Sequence, residues 1–197
     1  MAENLDKIIA FVKNFKDEVI LPLANDGILD AEICQQAKEI FCEQLNEQKP
    51  ITLVKIEKEG EWSFLHPMAE CKIKIDDFTY CSIEQYRIAS AYVGMDDEFV
   101  EYVKESKTPQ IAHRRGQSAE ESRKEKKGDY EQVKYNDLKM AYMAMLQQHP
   151  RFLDKLKSSC DAPIQYTASN DEWLAHVPGT KSKNAIGSIL MELRTSL

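Results

Sequence analysis

Lys72-Ile73-Lys74-Ile75-Asp76-Asp77-Phe78-Thr79-Tyr80-Cys81-Ser82-Ile83-Glu84 carries two kinds of structure in succession. Lys72 to Ile75 alternates polar and apolar, the period of a strand with one wet face. Asp76-Asp77 turns the chain, and Phe78-Thr79-Tyr80 alternates again, so a strand pair is expected. From Ser82 to about Tyr92 the pattern becomes helical. A strand pair feeding a helix places the fold in the α+β class. It also puts Glu84 just inside a helix start, beside a strand end. A carboxylate at that dipole stays ionised, which suits stabilising a positively charged sugar intermediate. It equally suits a plain helix-start acid, and both readings stand.

Upstream, Ile51-Thr52-Leu53-Val54-Lys55-Ile56 and Glu61-Trp62-Ser63-Phe64-Leu65 flank Glu59-Gly60 and read as a β-hairpin. Downstream, helices are expected over 96–106 and 130–148. The second of these has apolar positions at Val133, Ala141, Ala144 and Met145 and stops before Pro150. A short helix begins near Pro150, a loop rich in Ser, Asn and Asp spans 158–171, and a last helix covers 186–193. The whole is mainly helical, with small β-hairpins. Residues 1–50 stand apart by charge, with 5 Lys/Arg against 10 Asp/Glu, a net of −5 that leaves −2 for the rest. Apolar residues from Leu5 to Val19 and from Ile33 to Leu45, with Asp30 as a helix cap, give an acidic helical hairpin. The expected division is that hairpin over 1–50 and one domain over 51–197. The hairpin either packs on the domain or offers a surface to a protein partner.

Composition narrows the function. The 197 residues are 43% hydrophobic and 30% charged with only 7 Gly and 7 Pro, which is globular usage. No apolar run is long enough to span a membrane, and Met1-Ala2-Glu3-Asn4-Leu5-Asp6 lacks a signal-peptide start, so a cytoplasmic location and no membrane partner are expected. A net charge of −7 argues against tight binding of duplex nucleic acid. The five cysteines, with no CxxC, read as reduced, mostly buried thiols, and no pair of the four histidines has helical zinc spacing. No metal and no cofactor are implied.

Three further segments hold residues of interest. Arg114, Arg115, Arg123, Lys124, Lys126 and Lys127 crowd one short basic stretch, interrupted by Glu120, Glu121 and Glu125. It reads as a solvated loop or as a pyrophosphate-binding one. Trp173 lies in a polar loop, where a large aromatic either plugs a core or stacks on a ligand ring. Asn184-Ala185-Ile186-Gly187 opens the last helix, with Asn184 as its cap and Gly187 allowing another backbone close.

In collinear order from about Trp62 to Leu197, these segments resemble the NADAR (YbiA-like) family of N-glycosidases. Lys183-Asn184-Ala185-Ile186-Gly187-Ser188-Ile189-Leu190-Met191-Glu192-Leu193-Arg194 is similar to the family's Lys-Asn-x-Leu-Gly-x-x-Leu-Met-x-x-Arg ending. Tyr130-Glu131-Gln132-Val133-Lys134 with Gln148-His149-Pro150 resembles its Trp-x-x-Val-Lys…His-Pro helix. The stretch from Ala112 to Gly116 looks like the segment before its Gly-Arg, and Trp173 matches its loop tryptophan. Ser82-Ile83-Glu84-Gln85-Tyr86-Arg87-Ile88-Ala89 is similar to its Ser-Glu-His-Tyr-Phe-Gln-Ala stretch, with Glu84 on the glutamate. The resemblance implies a compact, mainly helical α+β domain with a cleft that breaks an N-glycosidic bond to ribose. The substrate would be an ADP-ribosylated guanine base or a phosphorylated riboflavin-pathway intermediate. It makes Glu84 the catalytic position and Tyr86, Arg114, Arg115, Trp173, Lys183 and Asn184 the ligand-binding ones.

The chain departs from the family where chemistry is expected. Ala91 stands where the resemblance implies a lysine able to form a Schiff base, and Ile88 and Ser90 replace glutamines. His66-Pro67-Met68 replaces a Ser-Asn-Phe motif, Gln165 a glutamate, Leu174 a glycine and Gln117 an arginine. Alanine cannot form an imine, and glutamine cannot carry the charge that steadies an oxocarbenium ion. The favoured expectation is a pseudoenzyme that binds a nucleotide-sugar of the ADP-ribose kind or a protein partner. The alternative is an active N-glycosidase with a rearranged site, using Glu84 with Asp171, Glu172 or Lys183.

Overall fold

Ser82 and Gln85 fix the junction on which the fold turns. In the computed structural model, which describes residues 51–197, the Ser82 hydroxyl accepts the Gln85 amide hydrogen bond at 3.1 Å and caps helix α1 (Ile83–Ser90). The buried Gln85 side chain accepts from the Cys81 amide at 2.6 Å and donates to the carbonyls of Val103, Lys104 and Ser106 at 3.0–3.1 Å. It thereby ties the start of α1 to the end of helix α2 (Asp97–Lys104), which Asp96 caps. Strands β2 (Ile73–Ile75) and β3 (Phe78–Tyr80) form the expected antiparallel pair, with Ile75 opposite Phe78 across Asp76-Asp77. Asp76 takes a φ of 52°, a conformation Asp tolerates better than most residues.

Helix α1 is buried along most of its length and packs against α2, α3 (Pro109–Glu121) and α4 (Tyr130–Gln148). Gln148 exchanges two 2.8 Å hydrogen bonds with the Lys74 backbone, and the buried Tyr142 hydroxyl donates to the Leu65 carbonyl at 2.9 Å. Pro150 opens α5 (Pro150–Lys157), as its fixed φ favours. Strand β1 (Val54–Ile56) pairs in parallel with β4 (Ile164–Tyr166), and α6 (Ala185–Ser196) lies on β4. A methyl group on Gly187 would stand 2.2 Å from the Ile164 carbonyl oxygen, so only glycine permits this approach.

The α+β, mainly helical expectation holds, and four details change. No hairpin joins 51–56 to 61–65: Ser63–Leu65 is a turn of 3₁₀-helix, and β1 finds its partner far along the chain. The loop expected over 158–171 contains that partner, β4. Much of the basic stretch is helical, since α3 runs to Glu121. Of the cysteines described, Cys71 is buried, Cys81 half-buried and Cys160 exposed, and burial pushes the Cys71 thiol up to about 11. The hairpin expected over 1–50 lies outside the described residues. Among the described residues, no helix is long and apolar enough to cross a membrane, and no cluster of His, Cys, Asp and Glu is arranged to hold a metal ion.

Candidate functional site

Glu84 begins in the first turn of α1, where its amide donates to the Pro67 carbonyl at 2.9 Å. Its side chain is only 5% exposed and faces a cleft between α1 and α3. Both carboxylate oxygens are engaged. Arg87, one turn on, donates through Nε and Nη2 at 2.8 and 2.9 Å in a bidentate pair. From α3, His113 places Nδ1 2.8 Å from Oε1, and the proton lies on that nitrogen because an ionised carboxylate only accepts.

Burial alone would raise the Glu84 carboxyl, but the Arg87 and His113 contacts outweigh it and hold the group below the usual carboxylate range. The hydrogen bond to Glu84 raises His113 from its ordinary value, against a smaller opposing effect of burial. Burial would lower Arg87, and Glu84 more than restores it. The arrangement is therefore a compact charge triad of one carboxylate and two donors.

The cleft around this triad is small, about 40 Å³. One water needs about 10–15 Å³, so about three water-sized atoms fit and a ribose does not. Ile88 lines it from α1, close against Gly116: a Cβ there would meet the Ile88 side chain at 2.8 Å. Ala91 and Gln117 also line it, at the positions where the resemblance implies a lysine and an arginine. Beyond α3 the chain crosses back, with the Lys127 amide donating to the Ala91 carbonyl at 2.9 Å and Lys126 paired to Glu120 at 3.0 Å.

A second, larger concavity of about 680 Å³ lies between α2 and α3. Arg114, Arg115 and Lys124 line it, over the aromatic floor of Phe99 and Tyr102. The Arg115 guanidinium stacks on Tyr102, 3.7 Å from the ring centroid, and donates to its carbonyl, while Lys124 pairs with Asp96. Arg114 is exposed.

The other residues singled out from the sequence lie elsewhere. Tyr86 is in the core, edge-on to Tyr80 at 5.1 Å, with its hydroxyl pushed up by burial. Trp173 is half-buried beneath Lys134, whose ammonium stands 4.4 Å from the ring centroid. The Lys183 amide donates to the Glu172 carbonyl at 2.6 Å and the residue is exposed. Asn184 makes no side-chain cap. It adopts a left-handed φ of 47° and spans to β4, accepting from the Tyr166 amide at 3.0 Å and donating to the Ile164 carbonyl at 2.8 Å. None of Asp171, Glu172 and Lys183 lines the Glu84 cleft.

Sequence reasoning missed Arg87, His113 and Tyr92, which all line the cleft. The spacing of Glu84 and Arg87 is the helical ion-pair spacing and was a usable signal. His113 could be found only by knowing that α3 crosses α1.

No protein-family model matches the chain. It is 28% identical over 125 residues to N-glycosidase YbiA of Shigella boydii serotype 4 (strain Sb227), a match covering 64% of this chain and 75% of that relative. N-glycosidase YbiA of Escherichia coli (strain K12) is similar to the same extent. The NMR structure of the E. coli protein YbiA superposes with a TM-score of 0.66 at 24% identity, covering 75% of this chain and 86% of that one. In sequence the chain is similar to these YbiA glycosidases, and it shares the fold of YbiA.

Proposed function

We propose that this chain is a YbiA-type domain that binds a nucleotide-sugar of the ADP-ribose kind and has lost the cleavage step. One observation carries the reading: both oxygens of Glu84 are engaged by Arg87 and His113 inside a cleft of about 40 Å³. A carboxylate stabilises a developing oxocarbenium ion only if its charge reaches the anomeric carbon. Here that charge is already matched by a guanidinium, and the cleft, with Ile88 in its wall, is too small for a sugar. With Ala91 in the wall, the lysine among the residues lining the cleft is Lys126, whose ammonium is paired to Glu120 at 3.0 Å.

The groove between α2 and α3 supports the binding half of the proposal. Its volume falls within the range of about 300–1,000 Å³ common for small-molecule sites. Arg114 is an exposed cation for a pyrophosphate, beside Lys124, which pairs with Asp96. A protein partner remains the competing occupant.

The test is incubation with ADP-ribosylated guanosine and with phosphorylated riboflavin-pathway intermediates, read by mass spectrometry, alongside calorimetry with ADP-ribose. The expected result is no freed base together with saturable ADP-ribose binding, weakened about 10- to 100-fold by Arg114→Ala. A freed base would restore the active-glycosidase alternative. Absence of ADP-ribose binding would remove the nucleotide-sugar.

A further inference from the structure

Tyr92 is 2% exposed, and its hydroxyl is buried without a hydrogen-bond partner among the described residues. Native proteins rarely leave such a group unpaired. The ring lies edge-on to Phe99 at 4.7 Å, which holds it in place, and the residue lines the small cleft. The hydroxyl sits where Lys126, Glu120 and Tyr130 all act on it electrostatically.

The hydrogen-bonding capacity left in this cleft is mostly donor. Glu84 is engaged by Arg87 and His113, and Glu120 is paired with Lys126. Arg87 uses Nε and Nη2, and its Nη1 makes no hydrogen bond among the described residues. Lys126 holds one carboxylate and has protons to spare. What completes the set is a group that accepts several hydrogen bonds and occupies about three water-sized atoms, which is the size of a carboxylate or of one face of a phosphate.

We propose that the cleft between α1 and α3 is a binding site for one small oxyanion, seated against the Tyr92 hydroxyl, the Nη1 edge of Arg87 and the Lys126 ammonium. The site is separate from the groove lined by Arg114, and its ligand needs no ribose. A water molecule alone, the competing occupant, would leave this cleft without anion affinity.

The experiment is calorimetry of the full chain with inorganic phosphate, with formate and with ADP-ribose as separate arms. Saturable binding of phosphate or formate is expected, weakened about 10-fold or more by Tyr92→Phe, since a lost hydrogen bond to a charged group costs about that factor. ADP-ribose binding should survive Tyr92→Phe, and oxyanion binding should survive Arg114→Ala. Lys126→Gln, on the surface side of the cleft, is the second variant and should weaken the oxyanion likewise. The proposal is overturned if neither ion binds the wild type, if both variants bind it unchanged, or if Arg114→Ala removes it. Turnover of ADP-ribosylated guanosine by a chain that still binds phosphate would overturn the functional reading and leave this one standing.

Discussion

Glu84→Gln separates a structural carboxylate from a catalytic one. In a working glycosidase the change would fall on the chemical step. Here it leaves the Arg87 guanidinium, only 23% exposed, beside a neutral amide. Breaking such a pair costs about 3 kcal/mol, at the lower end for buried pairs because Arg87 still reaches water. We expect a loss of that size in urea denaturation, with ADP-ribose affinity unchanged; unchanged stability would mean the triad does not hold the cleft shut. His113 gives the same cluster a pH signature. Its pKa is raised in the folded state, so it contributes stability below its unfolded value near 6.5, and that contribution is lost as pH rises through the folded value. His66 has the opposite sign. Burial lowers it, its Nδ1 accepts the Met68 amide hydrogen bond at 3.0 Å, and it disfavours folding as pH falls below the unfolded value. Stability of wild type against His113→Gln should therefore converge as pH climbs above neutrality. Parallel curves would show that His113 titrates unperturbed.

At the scale of elements, the contact between α6 and β4 is held by two adjoining devices, the Asn184 side chain and the bare Gly187. Gly187→Ala must push the helix from the strand, because the obstacle is the Ile164 backbone and not a side chain that can turn away. Overpacking of this kind costs about 1–3 kcal/mol, so a Tm lower by roughly 2–12 °C is expected in thermal unfolding. An unchanged Tm would mean the helix slides freely on the strand. Gly187 was legible in the sequence as a place of close approach, but its neighbour was not. The strand it meets, Ile164–Tyr166, is three residues long and sits in a stretch whose polar composition reads as loop. Its only strand partner among the described residues, Val54–Ile56, is equally short and more than a hundred positions away. Parallel pairing over that distance leaves no local trace, whereas β2 and β3, joined by Asp76-Asp77, show their alternation in one glance. The candidate site divides in the same way. Glu84 followed from helix position, and Arg87 was missed although it stands at ion-pair spacing from it, while His113 and Tyr92 are joined to them only by packing of α1 against α3.

At the scale of the molecule, the described unit Ile51–Leu197 contains a core to which its helices and strands contribute together, from Val54 on β1 to Leu193 on α6. Such a core is what an independently folding domain needs. Residues 1–50 carry −5 of the chain's −7, so their removal brings the remainder to −2. Low net charge weakens the repulsion that keeps molecules apart. The residues described as lining the Arg114 groove and the Tyr92 cleft belong to this unit. Deletion of 1–50 is therefore expected to leave cooperative unfolding and ADP-ribose affinity intact. It should change assembly, read as a shift in mass by light scattering or as lost capture of a protein partner. A deleted chain that stays monodisperse and keeps every partner of the full chain would end the interface reading of 1–50. Insolubility even at a pH well away from neutral net charge would instead make those residues part of the fold, because lost charge repulsion cannot then account for the loss.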